Sequence, residues 1–306
     1  AYIAMKAMSG LPIAIYMQGV IESIYDHYFE GIPPKYQNAT LRDLIDKYNK
    51  NSEYNTFRNQ KVLEREMLLM ANSIIVENDW CEDMCKSVNP KLKVFRNKLP
   101  INKLFLSRTW SLDKIKRHTI FTNAGGYPIK GHHILFQALG IVKKIYPNFK
   151  CYIPGPKLET FNTIKRQTGY TKMLRDLIHK YNLQNNIVYM GFLNAERMLE
   201  QIITSNVYVM PSIMENHSSS LIEAMMVGAP SISSLVGGTA SLVRHCENGI
   251  LCNSLDARSL AGNIIRIFEN EAFAERLSKN ALLIRQERSE NFGEQMMTIY
   301  KQLIVK

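Results

Sequence analysis

The sequence contains no apolar run near the ~20 residues that a membrane-spanning helix needs. Its longest candidate, residues 10–21, is interrupted by Pro12, Gln18 and Gly19. A signal peptide, with a basic start, an apolar core and a cleavage site of small residues, is also missing. These absences favour a cytoplasmic location.

Cysteine is scarce, and its spacing fits none of the usual metal motifs. The chain has five cysteines, an odd number, at positions 81, 85, 151, 246 and 252. Cys81 and Cys85 would share one face of a helix, but no second pair completes a zinc site. Scattered thiols of this kind indicate a reducing compartment, in agreement with a cytoplasmic location.

Motifs of several enzyme classes are missing too. The absence of a Gly-x4-Gly-Lys-Ser/Thr loop excludes a P-loop ATPase, and no nucleophile elbow of a hydrolase is present. The adjacent His132 and His133 would point ~100° apart on a helix, so they could not easily share a metal ion. We therefore expect neither a metal nor another cofactor.

The residues that are present have the balance of an ordinary globular protein. The 306 residues are 46% apolar and 21% charged, and 38 basic against 27 acidic residues give a net charge of +11. This composition excludes a largely disordered chain. At ~100–200 residues per domain, the length predicts two domains.

The positive charge is concentrated between Lys86 and Arg117. This basic stretch holds ten lysines and arginines and a single acid, Asp113, so it carries +9 of the +11. A solvated linker would explain it, and so would contact with anionic lipid or a phosphorylated ligand. We expect an anionic membrane surface as a further partner, and no nucleic acid, because no zinc-finger, RNP or helix-turn-helix signature accompanies the charge.

Short β-branched and aromatic runs alternate with amphipathic stretches along the chain. The predicted strands span residues 13–17, 73–77, 93–95, 119–123, 150–153, 186–190, 207–210, 231–234 and 249–252. The predicted helices span residues 41–48, 62–71, 132–145, 171–181, 195–203, 219–227, 258–270 and 272–286. This alternation is typical of βαβ units and predicts an α/β fold with parallel sheets.

The alternation divides the chain unequally. From residue 118 onward it is regular and predicts one complete doubly wound domain of about 170 residues. Too few strands precede residue 97 for a complete nucleotide-binding unit, and the chain begins with Ala1 rather than Met. We therefore expect the first domain to be incomplete.

The most informative stretch is residues 211–230, which follow an apolar strand. Ser218 and the serines after it suit the start of a helix, whose free N–H groups and dipole form an anion site suited to a diphosphate. Glu215 lies in the preceding loop and Glu223 one turn into the helix. Two carboxylates at this spacing can hold hydroxyls at two ends of a ligand. Taken alone, the two glutamates could equally be an acid in a loop and an acid on a helix surface. The serine cluster, the Glu-Ala pair and the Gly-x-Pro sequence around them favour a ligand-binding site instead.

This stretch resembles the Glu-x7-Glu region of the family 4 glycosyltransferases, retaining enzymes of the GT-B fold. The resemblance implies that Glu215 contacts the transferred sugar and that Glu223 holds the ribose of the nucleotide. It places the intervening Asn216, His217, Ser218 and Ser219 in donor binding as well. Downstream, residues 236–238 and 247–251 match the family's Gly-Gly turn and Asn-Gly strand entry. Ser241 stands where the family usually has a glutamate.

Upstream, residues 121–132 resemble the family's strand, glycine loop and Lys-Gly before a long helix. The resemblance implies that Lys130 contacts the donor diphosphate, with Gly126 and Gly131 in the same loop. A lysine near a helix start is physically suited to phosphate. Ala124 stands where relatives commonly carry an arginine, so phosphate neutralisation must depend on Lys130, the loop N–H groups or another cation.

Two further segments complete the resemblance. Residues 186–193 match the segment that commonly adjoins the nucleotide base, and the backbone groups of Phe192 and Leu193 would read it. Gln18 occupies the place where many relatives have a histidine after an acceptor-domain strand. Its amide can bind sugar hydroxyls but cannot shuttle a proton.

The resemblance implies a GT-B fold of two Rossmann-like doubly wound domains, the first of them incomplete. Residues 1–108 would form a partial acceptor-side domain, 109–285 the nucleotide-sugar domain, and 286–306 a helix that packs back toward the first domain. The metal-binding Asp-x-Asp pattern of GT-A enzymes is missing.

The implied function is transfer of a sugar, with retention, from a nucleotide-sugar donor to a carbohydrate or lipid-linked acceptor in surface polysaccharide synthesis. Lys130, with the helix start at Ser218 and Ser219, would stabilise the departing diphosphate. The enzyme would be cytoplasmic, on the inner face of the membrane. An alternative is a fragment that binds the donor without transfer. A related epimerase would need catalytic groups in the missing half, and a phosphorylase would need a pyridoxal-binding lysine motif that the sequence lacks.

Overall fold

The structure, a computed structural model, describes residues 13–37, 40–48, 52–123, 125–158, 167–288 and 292–304. These residues form two parallel sheets. The smaller sheet has the order β1-β2-β3, with strands Ala14–Tyr16, Ser73–Val76 and Lys93–Arg96. The larger has the order β6-β5-β4-β7-β8-β9, with strands Lys116–Thr122 (β4), Lys150–Ile153 (β5), Ile187–Tyr189 (β6), Ser205–Met210 (β7), Ser231–Ser234 (β8) and Ile250–Cys252 (β9). Every predicted strand is confirmed.

Helices connect and cover the strands. They are α1 Ile21–Asp26, α2 Leu41–Tyr48, α3 Glu53–Met70, α4 Asp79–Val88, α5 His132–Ile145, α6 Gly169–Lys180, α7 Ala195–Ile203, α8 Ser219–Met226, α9 Ala257–Glu269, α10 Glu271–Ala281, α11 Ile284–Glu287 and α12 Phe292–Ile304. Each predicted helix is present, but two predicted boundaries are wrong. The helix expected to begin at residue 62 begins at Glu53, because Ser52 caps it by accepting a hydrogen bond from the Asn55 amide. The single helix predicted over 272–286 is divided into α10 and α11.

Two helices, α1 and α4, were not predicted from the sequence, whereas α12 lies within the helix expected over residues 286–306. The start of α4 is set by Asn78, whose side chain accepts a hydrogen bond from the Cys81 amide at 2.8 Å. Cys81 and Cys85 share the buried face of this helix. Cysteine is a small hydrophobe, so this face carries a weak apolar signal in the sequence.

The large sheet supplies the main core. Its central strands β4 and β7 place Ile120, Phe121, Val207 and Tyr208 in the interior, all nearly inaccessible to solvent. Both faces of β7 are buried, as expected for a central strand of a doubly wound sheet.

The small sheet has a core of its own and a further cover. Ile15, Ile74 and Val76 pack with Cys81 and Cys85 on one side. On the other side, Ile299 of α12 packs with Ile75 and Phe95. The carboxyl-terminal helix therefore returns to the first sheet.

The strand order of the large sheet defines where a ligand can bind. Numbered from β4, the order is 3-2-1-4-5-6, so the chain leaves β4 toward one edge and resumes at β7 toward the other. In open parallel sheets, ligands occupy the crevice outside the carboxyl ends of the strands at this reversal. The loops after β4 and β7 both lie there.

The basic stretch is partly neutralised by acids from neighbouring elements. Arg96 lies 2.6 Å from Asp79 and also pairs with Glu82, and Lys86 lies 2.7 Å from Glu82. Two further basic residues are paired in the same way: Arg108 pairs with Glu200, and Arg117 lies 2.7 Å from Glu271. Exposed pairs of this kind stabilise a fold by only ~0–1 kcal/mol each, but they reduce the local charge.

Among the residues that the structure describes, no helix combines the length and the apolar character needed to cross a bilayer.

Candidate active site between the two sheets

Lys130 is held in place by a tight turn that only glycine can complete. Residues Pro128–Lys130 form a 3-10 turn, and Gly131 follows with a φ of +69°. A Cβ added at Gly131 would overlap the carbonyl oxygen of Pro211, so the close approach requires glycine. The amide of Ile213 donates to the carbonyl of Ile129 at 2.8 Å. The loop after β4 is thereby joined to the loop after β7.

Lys130 and Glu215 meet across this junction. Lys130 Nζ lies 2.6 Å from Glu215 Oε1, which also accepts a hydrogen bond from Ser212 Oγ at 2.9 Å. Burial alone would lower the pKa of Lys130, but the Glu215 carboxylate and the Tyr127 hydroxyl outweigh it and raise that pKa. Lys130 therefore carries its positive charge at neutral pH, in a largely buried position.

Two glycines bring the loop after β8 against Glu215. The amide of Gly238 donates to the Glu215 carbonyl at 3.1 Å. Gly237 has a φ of +49°, and side chains at Gly237 and Gly238 would overlap the carbonyl oxygens of Glu215 and Asn216. The Gly-Gly turn thus fixes the backbone of the Glu215 loop. Ser241, at the end of this turn, donates from its hydroxyl to the Gly238 carbonyl at 2.6 Å.

The helix that carries Glu223 begins as the serines predict. Ser218 is the N-cap of α8 and accepts a hydrogen bond from the Leu221 amide at 3.4 Å. Ser219 is the first helical residue and is exposed, and Ser220 accepts a hydrogen bond from the Tyr208 hydroxyl at 2.9 Å. Burial raises the pKa of Glu223, one turn further, to about 7.

A small cavity lies between the two domains beside Lys130 and Glu215, with a volume of ≈ 110 Å³. It is lined by Gln18, Gly19, Val20, Ile24, Phe57 and Trp80 on the first-domain side, and by Tyr127, Ile129, Lys130 and Met214–His217 on the other. The structure therefore brings together five predicted site residues from both domains: Gln18, Lys130, Glu215, Asn216 and His217. The other predicted residues do not line this cavity: Gly126, Gly131, Phe192, Leu193, Ser218, Ser219 and Glu223.

Phe192 and Leu193 follow β6, at the same edge of the sheet. Gly155 and Gly191 exchange backbone hydrogen bonds of 2.8 and 3.0 Å, which tie this segment to the end of β5. Phe192 is 88% exposed. Gly126 is surrounded by open space, so packing does not require a glycine there. Ala124, where relatives have arginine, lies outside the described residues.

Several residues at the site escaped prediction from the sequence. Asn216 Oδ1 accepts a hydrogen bond from Asn78 at 2.9 Å, and His217 Nδ1 lies 2.7 Å from Glu77 Oε2. Glu77 and Asn78 directly follow β2, so the one available signal was their place at the carboxyl end of a strand. Tyr127 beside Lys130 and Ser212 beside Glu215 were not predicted as site residues either.

The two adjacent histidines do not form a metal site. Both are buried, and burial lowers the pKa of each to about 4. His132 Nε2 lies 3.1 Å from the Asn123 carbonyl and His133 Nδ1 lies 3.4 Å from the Tyr170 hydroxyl. Among the residues described, no three His, Cys, Asp or Glu side chains are grouped to hold a metal ion. That catalysis needs no metal stays a prediction.

Comparison with known proteins identifies the family. Residues 111–283, more than half of the chain, match the family described as Glycosyl transferases group 1. The chain belongs to this glycosyltransferase family. The family assignment drawn from residues 211–230 is thereby confirmed.

Individual relatives agree with this assignment. The glycosyltransferase is 28% identical over 130 residues to the uncharacterised glycosyltransferase MJ1607 of Methanocaldococcus jannaschii, a match covering 42% of this chain and 33% of that protein. It is 28% identical over 135 residues to the amylovoran biosynthesis glycosyltransferase AmsK of Erwinia amylovora, covering 39% and 33%. The matched region thus spans about a third of the length of these relatives.

A solved structure extends the likeness to both domains. HepE of Anabaena, solved in complex with UDP and glucose, superposes with a TM-score of 0.68 at 19% identity, covering 100% of this chain and 76% of that one. At this identity the likeness concerns the fold alone. The predicted GT-B fold is confirmed.

Proposed function

We propose that this glycosyltransferase moves a sugar from a nucleoside diphosphate donor to a hydroxyl of a carbohydrate or lipid-linked acceptor, with retention of configuration. One observation carries the proposal. A partly buried cation, Lys130, and a carboxylate, Glu215, meet at the crevice between β4 and β7, where the strand order reverses. Doubly wound sheets bind nucleotides at this position.

In this proposal Lys130 and the start of α8 receive the donor diphosphate. The bond between the anomeric carbon and the diphosphate oxygen breaks, and a bond forms from that carbon to the acceptor oxygen on the same face of the sugar. The acceptor hydroxyl gives its proton to the departing diphosphate oxygen. The negative charge that grows on the leaving diphosphate is stabilised by Lys130 Nζ and by the amino-terminal end of the α8 dipole. Glu215, fixed by Ser212 and the Gly-Gly turn, orients the sugar ring.

Glu223 holds the ribose through hydrogen bonds donated by vicinal hydroxyls. Such charge-assisted bonds require the ionised carboxylate. Because burial raises the pKa of Glu223 to about 7, part of the free protein carries a protonated Glu223 at neutral pH. Donor binding therefore selects the ionised form, and Phe192 and Leu193 contact the base through their backbone groups.

The comparisons support a role in surface polysaccharide synthesis. AmsK is a glycosyltransferase of amylovoran biosynthesis, and the structure of HepE holds UDP and glucose. We extend these properties to this chain: a nucleotide-sugar donor and a polysaccharide precursor as acceptor. The basic stretch would bring the cytoplasmic enzyme to the anionic inner face of the membrane, where a lipid-linked acceptor lies. Sedimentation with vesicles tests this part: binding to anionic but not neutral vesicles supports it, and equal binding to both contradicts the electrostatic contribution.

Calorimetry and a transfer assay on the same chain test the proposal. The chain is titrated with UDP-, GDP- and ADP-glucose, and release of nucleoside diphosphate is followed with and without acceptor. Binding of one donor with acceptor-dependent release supports transfer. Binding without release supports the alternative of a donor-binding fragment, and binding of none contradicts both. The variant Glu215→Gln should still bind the donor but should no longer release nucleoside diphosphate.

A further inference from the structure

A carboxylate, a guanidinium and an imidazole from distant parts of the chain form a buried cluster between the domains. Glu77 follows β2 of the first domain, His217 lies two residues after Glu215, and Arg288 follows α11. His217 Nδ1 is 2.7 Å and Arg288 Nη2 is 3.3 Å from the same oxygen, Glu77 Oε2. The three side chains are only 3–5% exposed. This cluster is distinct from the Lys130–Glu215 pair.

The cluster also fixes the linker between the domains. Arg288 Nη1 donates to the Leu99 carbonyl at 2.9 Å, and Nη2 lies 3.1 Å from His217 Nδ1. Burial by itself would raise the pKa of Glu77, but His217, Arg288 and the Leu99 amide outweigh burial and lower it. Glu77 therefore remains an anion with donors from three segments around it.

The loop after β7 is consequently held from two sides. Glu215 faces Lys130 of its own domain. The next residue, Asn216, accepts from Asn78 at 2.9 Å and donates to the Met17 carbonyl at 3.4 Å, both in the first domain. His217 continues this contact through Glu77. The two residues that follow Glu215 are therefore both bonded to the first domain.

We propose that Glu77 and Arg288 are positioning residues for sugar transfer: they hold His217, and through it the Glu215 loop, against the first domain. This inference rests on the proposed function, because it concerns where Glu215 stands relative to the acceptor side of the cleft. The contacts described for Glu77 and Arg288 join them to His217, to Leu99 and to each other, whereas the diphosphate and ribose would be bound by Lys130 and Glu223. Their loss should therefore lower the rate of transfer far more than the affinity for the donor.

Kinetic measurements on Glu77→Gln, Arg288→Met and Arg288→Lys test whether the transfer rate falls while the affinity for the donor is kept. We expect kcat to fall by ~10-fold to ~100-fold in the first two, since misplacement of a reacting group by about 1 Å has effects of this size. The donor dissociation constant should stay within about twofold. Arg288→Lys keeps the charge but not the forked geometry, and should recover part of kcat. Glu271→Gln, which breaks the exposed Arg117–Glu271 pair, is the matched control and should change neither quantity.

Hydrogen exchange supplies a readout that does not depend on activity. In Glu77→Gln and Arg288→Met, amides of residues 213–218 should exchange about tenfold faster while those of β4 and β7 keep their protection. If the unaltered chain shows no transfer, the proposed function fails but this exchange result still decides the positioning role. Unchanged exchange in the loop, or equal acceleration throughout the sheet, would overturn the inference. A rise in donor dissociation constant equal to the fall in kcat would also overturn it.

Discussion

Lys130 Nζ lies 2.6 Å from Glu215 Oε1, although 85 residues separate the two in the chain. The contact spans the reversal of strand order between β4 and β7. It depends on backbone packing: Gly131 against Pro211 on one side, and Gly237 against Glu215 on the other. The charged pair is thus placed by glycines that allow three loops to touch.

Removal of the Lys130 charge should weaken donor binding and slow transfer together. In Lys130→Met, the diphosphate loses its cation and Glu215 loses its partner, and charged contacts of this kind are worth ~1.5–3 kcal/mol. We expect the donor dissociation constant to rise at least about tenfold by calorimetry. Lys150→Met, whose lysine bonds only to the Asn185 carbonyl among the contacts described, serves as the control. Unchanged donor affinity in Lys130→Met would remove Lys130 from the diphosphate site.

Gly131→Ala should destabilise the protein, whereas Gly126→Ala should not. The new Cβ at Gly131 would overlap the Pro211 carbonyl, in a left-handed conformation that disfavours alanine. We expect the free energy of unfolding to fall by ~1–3 kcal/mol in urea denaturation. Gly126 has open space around it, so its substitution should change the free energy by less than ~0.5 kcal/mol. Equal stability of the two variants would show that the loop contact is not constrained.

Donor affinity should depend on pH through Glu223. Its pKa is raised by burial to about 7, and the ribose hydroxyls need the ionised form. Binding must then displace a proton at lower pH, so the donor should bind ~10-fold more weakly at pH 6 than at pH 8. Glu223→Gln should bind weakly at both values. If donor affinity depended on pH in Glu223→Gln as strongly as in the unaltered protein, the titrating group would be another residue.

The same raised pKa has a consequence for stability. Folding raises the pKa of Glu223 from its ordinary 4.5, so ionisation disfavours the folded state. The stability that protonated Glu223 contributes is fully present below the pKa that this residue has in the unfolded chain. It is lost as the pH rises through the pKa that Glu223 has in the folded protein. The free energy of unfolding, measured by urea denaturation, should therefore decline less between pH 4.5 and 7 in Glu223→Gln than in the unaltered protein. An unchanged decline would contradict the burial effect.

Phe192→Ala should leave donor affinity within about twofold if the base is read by backbone groups. The ring is 88% exposed and packs little against the protein. Its removal should also leave the melting temperature unchanged. A fall in affinity of about tenfold or more would instead indicate that the ring stacks on the base.

The strands and the main site motif could be predicted from the sequence because their signals are local. Residues 207–210 form a continuous apolar run, and both faces of this strand are buried. Glu215, Glu223 and the serine N-cap stand within nine residues of one another, in a pattern that encodes both the turn and the helix start.

The interdomain contacts could not be predicted, since their partners are far apart in the chain. Arg288 and Glu77 are separated by 211 residues, and no periodicity relates them. Helix α4 was not predicted because its buried face includes Cys81 and Cys85, which give a weak apolar signal. Tertiary packing decides these features, and local propensity does not.

The most direct test of the account is a crystal structure with the nucleotide sugar that gives the largest thermal shift among UDP-, GDP- and ADP-sugars. The account predicts the diphosphate within hydrogen-bond distance of Lys130 Nζ and the first-turn amides of α8, with the ribose on Glu223 and the sugar beside Glu215. A nucleotide bound elsewhere, with the Lys130–Glu215 pair still intact at the crevice, would contradict it.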